Sequence, residues 1–329
     1  MTRKEIGVLL LLVVLCAVVA VASPQFLSVT NLQNVGRLVG TYGIFSIGVG
    51  IVIITGGIDL SVGSICALLG ILLSMMLVEW HWPAGVALAA VIALGAGLGA
   101  IHGLLITRLK LQPFIVTLCG LLLYRGAARY IARDSTKGFG TGEGFEWLRA
   151  LASGSVAGVP MPFVIMCVMA VLAWLLVHRS VWGRHLFAVG HNEEAAHYSG
   201  VNTRGVVAGA YVISGTLAAV SAVIIAFYTN SISPASHGNF YELYAIAAAV
   251  VGGCSLRGGE GSVLGIVMGT ALLQVLRNLV NLLDIPSSLD FAVMGAVILI
   301  GAIADELVRS RSVKVGRVPP QAEPPAARN

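Results

Sequence analysis

The sequence predicts an all-α membrane protein of about ten transmembrane helices, with an internal two-half repeat and both termini cytoplasmic. Three observations predict this. Of the 329 residues, 57% are hydrophobic and 11% charged, against about 25% charged residues in a soluble domain. Apolar runs recur at close to the roughly 20 residues that cross a bilayer as a helix. Two glycine-rich segments, far apart in the chain, resemble each other in order and composition.

Spans are expected near 6–22, 38–56, 58–78, 83–106, 112–131, 159–177, 206–228, 241–254, 262–282 and 288–307. The run 6–22 exceeds a signal-peptide core in length, so an uncleaved first span is expected. The membrane domain is placed at 1–307, with halves at about 30–131 and 206–307 joined through the polar stretch 178–205. The tail 308–329 holds four prolines and is expected to be disordered. Basic residues in 1–5, 107–111, 178–205, 255–261 and 308–329 place those segments inside, because Lys and Arg stay on the cytoplasmic side. In a chain of net charge +5, the first use of the basic residues is therefore to fix orientation. Lipid is the expected surroundings and nucleic acid is not an expected partner. The five cysteines have no metal-ligand spacing and are expected to be small core residues. Glycines recur inside the spans, among them Gly95, Gly97 and Gly99, and the stripe Gly261, Gly265 and Gly269 is expected to let helices approach closely.

The repeat pairs Ile54-Thr55-Gly56-Gly57-Ile58-Asp59-Leu60-Ser61 with Val250-Val251-Gly252-Gly253-Cys254-Ser255-Leu256. Each is followed by Gly-Ser, and the second carries two extra residues. Transporters are often built from two related halves with interruptions at matching positions. Irregular backbone at membrane depth survives only where protein or water satisfies it. Gly56, Gly57, Asp59, Ser61, Gly252 and Gly253 are thus expected at a translocation path or gate, the other reading being plain loops between spans. Asp59 could bond a polar solute, or cap a helix starting at Leu60.

Arg125, Arg129 and Arg133 are spaced to share one helix face, and with Lys137 they form an outer basic cluster. They either snorkel to lipid headgroups or receive an acidic docking partner. Between 178 and 205, Asn192 is a candidate N-cap, Glu193 and Glu194 suit a first turn, Ala195 and Ala196 favour helix, and Gly200 is placed to end it. So short a helix must pack against something.

Four ordered motifs carry a family resemblance: GGIDLSVGS at 56–64, QPFIVTL at 112–118, GRHLFAVGHNEEAAHYSGVN at 183–202 and AIAAAVVGGCSLRGGEGS at 245–262. From about residue 30 to residue 307 the chain resembles the ribose/xylose/arabinose permease family of bacterial ABC importers. Cys254 departs from it, standing where Thr is more usual. The resemblance implies a multi-pass permease of the bacterial inner membrane that translocates a monosaccharide, a ribose-like pentose or a related sugar. The implied partners are a cytoplasmic ABC ATPase subunit, a periplasmic sugar-binding protein and a second permease subunit, either identical or a close paralogue. It makes Asn192, Glu193, Ala195, Ala196, Ser199 and Gly200 the coupling helix, with Ala195, Ala196 and Ser199 as the contact face. With such a binding protein as partner, complementary charge makes part of the outer basic cluster the expected receiver of acidic patches on its lobes. The chain contains no G-x-x-x-x-G-K-[ST] phosphate loop, since GTGEGFEW at 140–147 lacks the Lys. No cofactor and no enzymatic activity are therefore expected of this chain, and ATP and Mg belong to the partner. The alternative is an ion-coupled secondary sugar transporter, which would use a buried ionisable residue. Asp59 is the deepest candidate for that role.

Overall fold

The computed structural model describes residues 3–140 and 143–283, with isolated positions between 289 and 299. Among these, the chain forms α1 (Arg3–Ala22), α2 (Val29–Ile54), α3 (Val62–Ser74), α4 (Ala84–Arg108), α5 (Pro113–Ala132), α6 (Glu146–Ser153), α7 (Met161–Trp174), α8 (Val181–His191), α9 (Glu193–Tyr198), α10 (Thr203–Thr229), α11 (Tyr241–Val251) and α12 (Val263–Leu282). A π-helical turn extends α3 to Glu79 and another extends α7 to Arg179. Among the described residues, eight helices are long and apolar enough to cross a membrane: α1, α2, α3, α4, α5, α7, α10 and α12. The expected span at 288–307 and the tail 308–329 lie outside the described residues.

Two boundaries differ from expectation. Helix α2 begins at Val29, well before residue 38, because Ser28 caps it by accepting from the Asn31 amide. The single cation in its first half, Arg37, lies over the Tyr228 ring, 5.4 Å from its centroid, so the charge does not stop the helix. The second difference is α11. At 1.5 Å per residue its length is about 16 Å, roughly half of the hydrocarbon thickness. The preceding residues 233–240 are turns. The helix starts at Tyr241, as expected, after Phe240 at φ +64°, and differs at its other end, where Gly252 and Gly253 close it at Val251, short of 254.

Helices α2, α3 and α10 are buried along most of their length, while α1, α4, α5 and α7 expose most of theirs. In lipid no hydrophobic force drives helices together, so close packing of small residues takes over. Along α4, Gly95, Gly99 and Gly103 lie directly on the α10 backbone. A methyl group at Gly99 would fall 2.9 Å from the Tyr211 carbonyl carbon and one at Gly103 2.7 Å from the Ala208 Cα. Gly97 faces open space and takes no part in this contact. In the second stripe, Gly265 and Gly269 pack on α11, at Gly252 and Ala248. Gly261 precedes the helix and does not belong to the stripe. Cys66 and Cys254 are buried as expected, but Cys119 and Cys167 are exposed on α5 and α7. An apolar residue facing lipid need not be covered by protein.

One end of the bundle carries α9 and the other carries α6. At the α6 end, Lys137–Gly138 pairs antiparallel with Ser231–Ile232, tying the chain after α5 to the end of α10. A hairpin pairs Ser155–Val156 with Val159–Pro160 through Ala157 and Gly158, both at positive φ. The turn type matches the twist of its strands. Helix α6 buries Leu148 and Ala152 beneath a cluster of Phe139, Phe145 and Phe227, the first and last stacked at 4.5 Å.

Candidate translocation and coupling site

Both Gly-Gly segments are helix stops of the same kind. After α2, the Gly56 amide donates to Ile53 (2.9 Å) and the Gly57 amide to Val52 (3.2 Å). After α11, the Gly253 amide donates to Val250 and the Cys254 amide to Ala249, both at 2.9 Å. Each pair of bonds is a Schellman motif, which needs a left-handed residue just past the cap. Gly56 supplies it at φ +82° and Gly253 at φ +94°. The structural equivalents are therefore Gly56 and Gly253, one position out of register with the Gly-Gly alignment. Measured from cap to cap, the intervals run from Thr55 to Ser61 and from Gly252 to Ser262, so the second loop is longer than the two extra residues expected.

The two stops meet. The Gly259 amide donates to the Ile54 carbonyl at 2.9 Å. Gly190, near the end of α8, sits against both: a methyl group there would collide with the Ile54 carbonyl oxygen and with Gly259. Gly252 lies on Gly265, where a methyl group would come within 2.5 Å of a backbone carbon.

Residues 57–61 run without helix from the first stop to α3. Asp59 is buried there. One carboxyl oxygen accepts from the Ser61 amide (3.0 Å) and hydroxyl (2.6 Å), and the other accepts from the Ser214 hydroxyl on α10 (2.8 Å). The expected capping of a helix from Leu60 does not occur. Helix α3 starts at Val62 with Ser61 at the cap position, so the Asp59–Ser61 bonds form a local Asx turn outside the helix. The Ile58 carbonyl accepts from Tyr211 on α10 (3.1 Å) and from Thr117 on α5 (3.3 Å). Ser61 lies 3.5 Å from His102 Nδ1, and His102 Nε2 is 2.8 Å from the Tyr124 hydroxyl. Tyr211, Ser214, His102 and Tyr124 had no motif to mark them in the sequence. A polar residue inside an apolar span was the signal available for Ser214 and His102.

The short helix expected after Asn192 is α9. Asn192 caps it, accepting from the Ala195 amide at 2.9 Å. Gly200 ends it at φ +83°, its amide bonded to His197 and that of Val201 to Ala196, a third Schellman stop. The expected contact face needs correction. Ala195 and Ser199 are exposed, but Ala196 is buried against the rest of the bundle. Tyr198, overlooked in the sequence, is 80% exposed. A cavity of about 650 Å³ lies beside α9. Gly56 and Gly57 line it from the first stop, Lys110 from the α4–α5 loop, Glu193 and Glu194 from α9, and Arg204 from α10. Lys110 holds φ +55° there.

At the α6 end the basic cluster is divided. Arg125 is half-buried and donates to the Pro234 (3.1 Å) and His237 (2.5 Å) carbonyls, fixing the turns that precede α11. Arg129 pairs with Asp134 at 2.7 Å, and this bond holds the Asp134 carboxyl below its usual range. Helix α5 ends at Ala132, so Arg133, at φ +53° in the cap, does not share the face of the other two. Lys137 bonds Glu79 at 2.5 Å. Among the described residues, no group of three His, Cys, Asp or Glu could hold a metal ion.

This architecture has relatives. The family model described as the branched-chain amino acid transport system / permease component matches residues 31–302. The ribose import permease protein of Bacillus subtilis is 38% identical over 307 residues, 92% of each chain. That of Haemophilus influenzae is 35% identical over 304 residues, 92% of this chain and 93% of its own. The xylose transport system permease protein of Escherichia coli is 31% identical over 87% of each chain. No solved structure gives a significant match. A bundle with eight membrane-length helices, matched over nearly its whole length, identifies this chain as a member of the branched-chain amino acid transport system / permease component family and as a multi-pass membrane permease.

Proposed function

We propose that the chain is the permease subunit of an ATP-driven monosaccharide importer in the bacterial inner membrane, with a pentose such as ribose as its cargo. The observation that carries this is the similarity to ribose import permeases over more than nine-tenths of both chains. The α9 end faces the cytoplasm, as the basic residues of 178–205 require, and the α6 end faces the periplasm. Ten spans follow if α11 counts with the turns before it and 288–307 forms the last. Reading the halves 30–131 and 206–307 as a repeat is supported by a Schellman stop in each, and with it the reading of Gly56, Gly57, Asp59, Ser61, Gly252 and Gly253 as a gate.

On this reading α9 couples the permease to a cytoplasmic ATPase, which holds the ATP and Mg. Ala195, Tyr198 and Ser199 form the contact face, and exposed aromatic side chains such as Tyr198 make strong anchors. Glu193 is available to a basic residue of the ATPase. At the other end Arg129, Arg133 and Lys137 present cations to a periplasmic binding protein, while Arg125 holds the floor beneath them. A second permease subunit completes the assembly.

The test is reconstitution in proteoliposomes with the ATPase and binding protein, measuring uptake of labelled ribose, xylose and allose and ATP hydrolysis together. Uptake should require ATP and the ATPase, with one sugar preferred. Uptake driven by an ion gradient without the ATPase would establish the secondary-transporter alternative instead. Ala195→Arg should disconnect hydrolysis from uptake. Wild-type values of both in that variant would remove α9 from the coupling role.

A further inference from the structure

The helix that follows α9 touches the 56–61 segment at successive heights. Val207, Tyr211 and Ser214 are spaced to lie on one face of α10. Val207 lines the cavity with Gly56 and Gly57. Tyr211 donates to the Ile58 carbonyl, and Ser214 donates to the Asp59 carboxyl. From Val207 to Ser214 the helix rises about 10 Å. The contacts of Gly56 and Gly57, of Ile58 and of Asp59 therefore follow one another along this face of α10.

The link from α9 to α10 has no slack. The Val201 amide bonds to Ala196 at 3.1 Å, the Thr203 amide to Val201 at 2.9 Å, and Asn202 caps α10 by accepting from Gly205 at 3.0 Å. Behind α10, the glycines of α4 lie against its backbone. Contacts at the front are of another kind: two side-chain hydroxyls hold a carbonyl and a carboxyl of the neighbouring segment. Asp59 has no cap to make, since α3 starts without it. Its outward oxygen is committed to Ser214.

We infer that Tyr211 and Ser214 are positioning residues, which grip the 56–61 segment through the Ile58 carbonyl and the Asp59 carboxyl so that displacement of α9 moves it. This rests on reading α9 as the coupling helix. Asp59 is then the handle of the gate, and binding of the sugar itself falls to other groups.

The experiment uses the full importer in proteoliposomes and reads sugar taken up per ATP hydrolysed, beside the amount of assembled complex. A merely structural role would lower assembly, hydrolysis and uptake together and leave their ratio alone. Ser214→Ala should lower the ratio about fivefold, the population change that follows loss of one hydrogen bond. Ser214→Thr keeps the hydroxyl and should restore it. Tyr211→Phe, which keeps the ring, should lower the ratio in the same direction, and it carries the test alone if Ser214→Ala fails to assemble. A wild-type ratio in both Ser214→Ala and Tyr211→Phe overturns the grip. So does a loss that Ser214→Thr fails to repair, because the hydroxyl would then not be its cause. If Ala195→Arg uncouples while the ratio in Ser214→Ala is normal, α9 remains the coupling helix and only the grip fails. If Ala195→Arg has no effect, the reading beneath it fails.

Discussion

A methyl group at Gly57 acts first on one atom, the Tyr211 hydroxyl oxygen, from which it would lie 2.7 Å away. Gly57 is not among the left-handed glycines, so alanine meets no backbone strain there. Ordinary carbon–oxygen contact needs about 3.4 Å, so the hydroxyl must retreat by roughly 0.7 Å. Its 3.1 Å bond to the Ile58 carbonyl then breaks. Thr117 still reaches that carbonyl at 3.3 Å, so the acceptor is not orphaned and the loss is about 1 kcal/mol. In a Tyr211→Phe background the obstructing oxygen is gone, and Gly57→Ala should cost only the few tenths of an ångström that the Val52 and Thr55 side chains, 3.1 and 3.3 Å from the methyl group, must give. The two substitutions therefore couple by about 1 kcal/mol. The assay is a double-mutant cycle, with unfolding free energies measured in mixed micelles at rising detergent denaturant and uptake measured in parallel. Additive effects, within about 0.3 kcal/mol, would refute this account, because the methyl group would then act on something other than the hydroxyl. Leucine at Gly57 must also displace Val52 and Thr55, whose side chains lie 3.1 and 3.3 Å from the added Cβ. It should stop uptake while the complex still assembles.

Two further outcomes are expected. Asn192→Ala removes the cap of α9 and should cost that helix about 1 kcal/mol. Hydrogen exchange at the Ala195 amide should then speed up several-fold, and an unchanged rate would show that the cap does not hold the helix. Arg133→Glu combined with Lys137→Glu should slow association of the binding protein at low salt and flatten its salt dependence. Association kinetics that match the wild type across a salt series would exclude docking at this corner.

The sequence showed the bundle and α9 plainly, and the reasons are local. Spanning runs are long and uniform, so apolar length alone finds them. Asn192 and Gly200 are cap residues at the right separation, and the structure uses both. Ala196 misled because the composition of a six-residue helix does not say which side faces its own protein. Helix α11 starts at Tyr241 as expected and differed only at its end, where Gly252 and Gly253 stop it before Cys254. Asp59 was noticed but given a local partner. Its second oxygen bonds a serine 155 residues away, a contact that no spacing rule contains. The one-residue offset of the glycine pairs was likewise hidden, because either glycine of a pair can take the left-handed position.

The placement of Gly190 gives the coupling reading its geometric basis. It lies one residue before the end of α8, and α9 begins after Asn192. At that point it presses on the Ile54 carbonyl, which already accepts from the Gly259 amide. One carbonyl thus joins the end of α2, the loop before α12 and the base of α9. Backbone packed against backbone cannot absorb a shift as a side chain can, since there is no rotamer to change. A push on α9 would therefore reach both helix stops together at this junction, and reach Asp59 separately along α10. The first route joins the two halves and the second moves only the first half. A gate worked by both would carry asymmetric motion even though its two stops have the same local design.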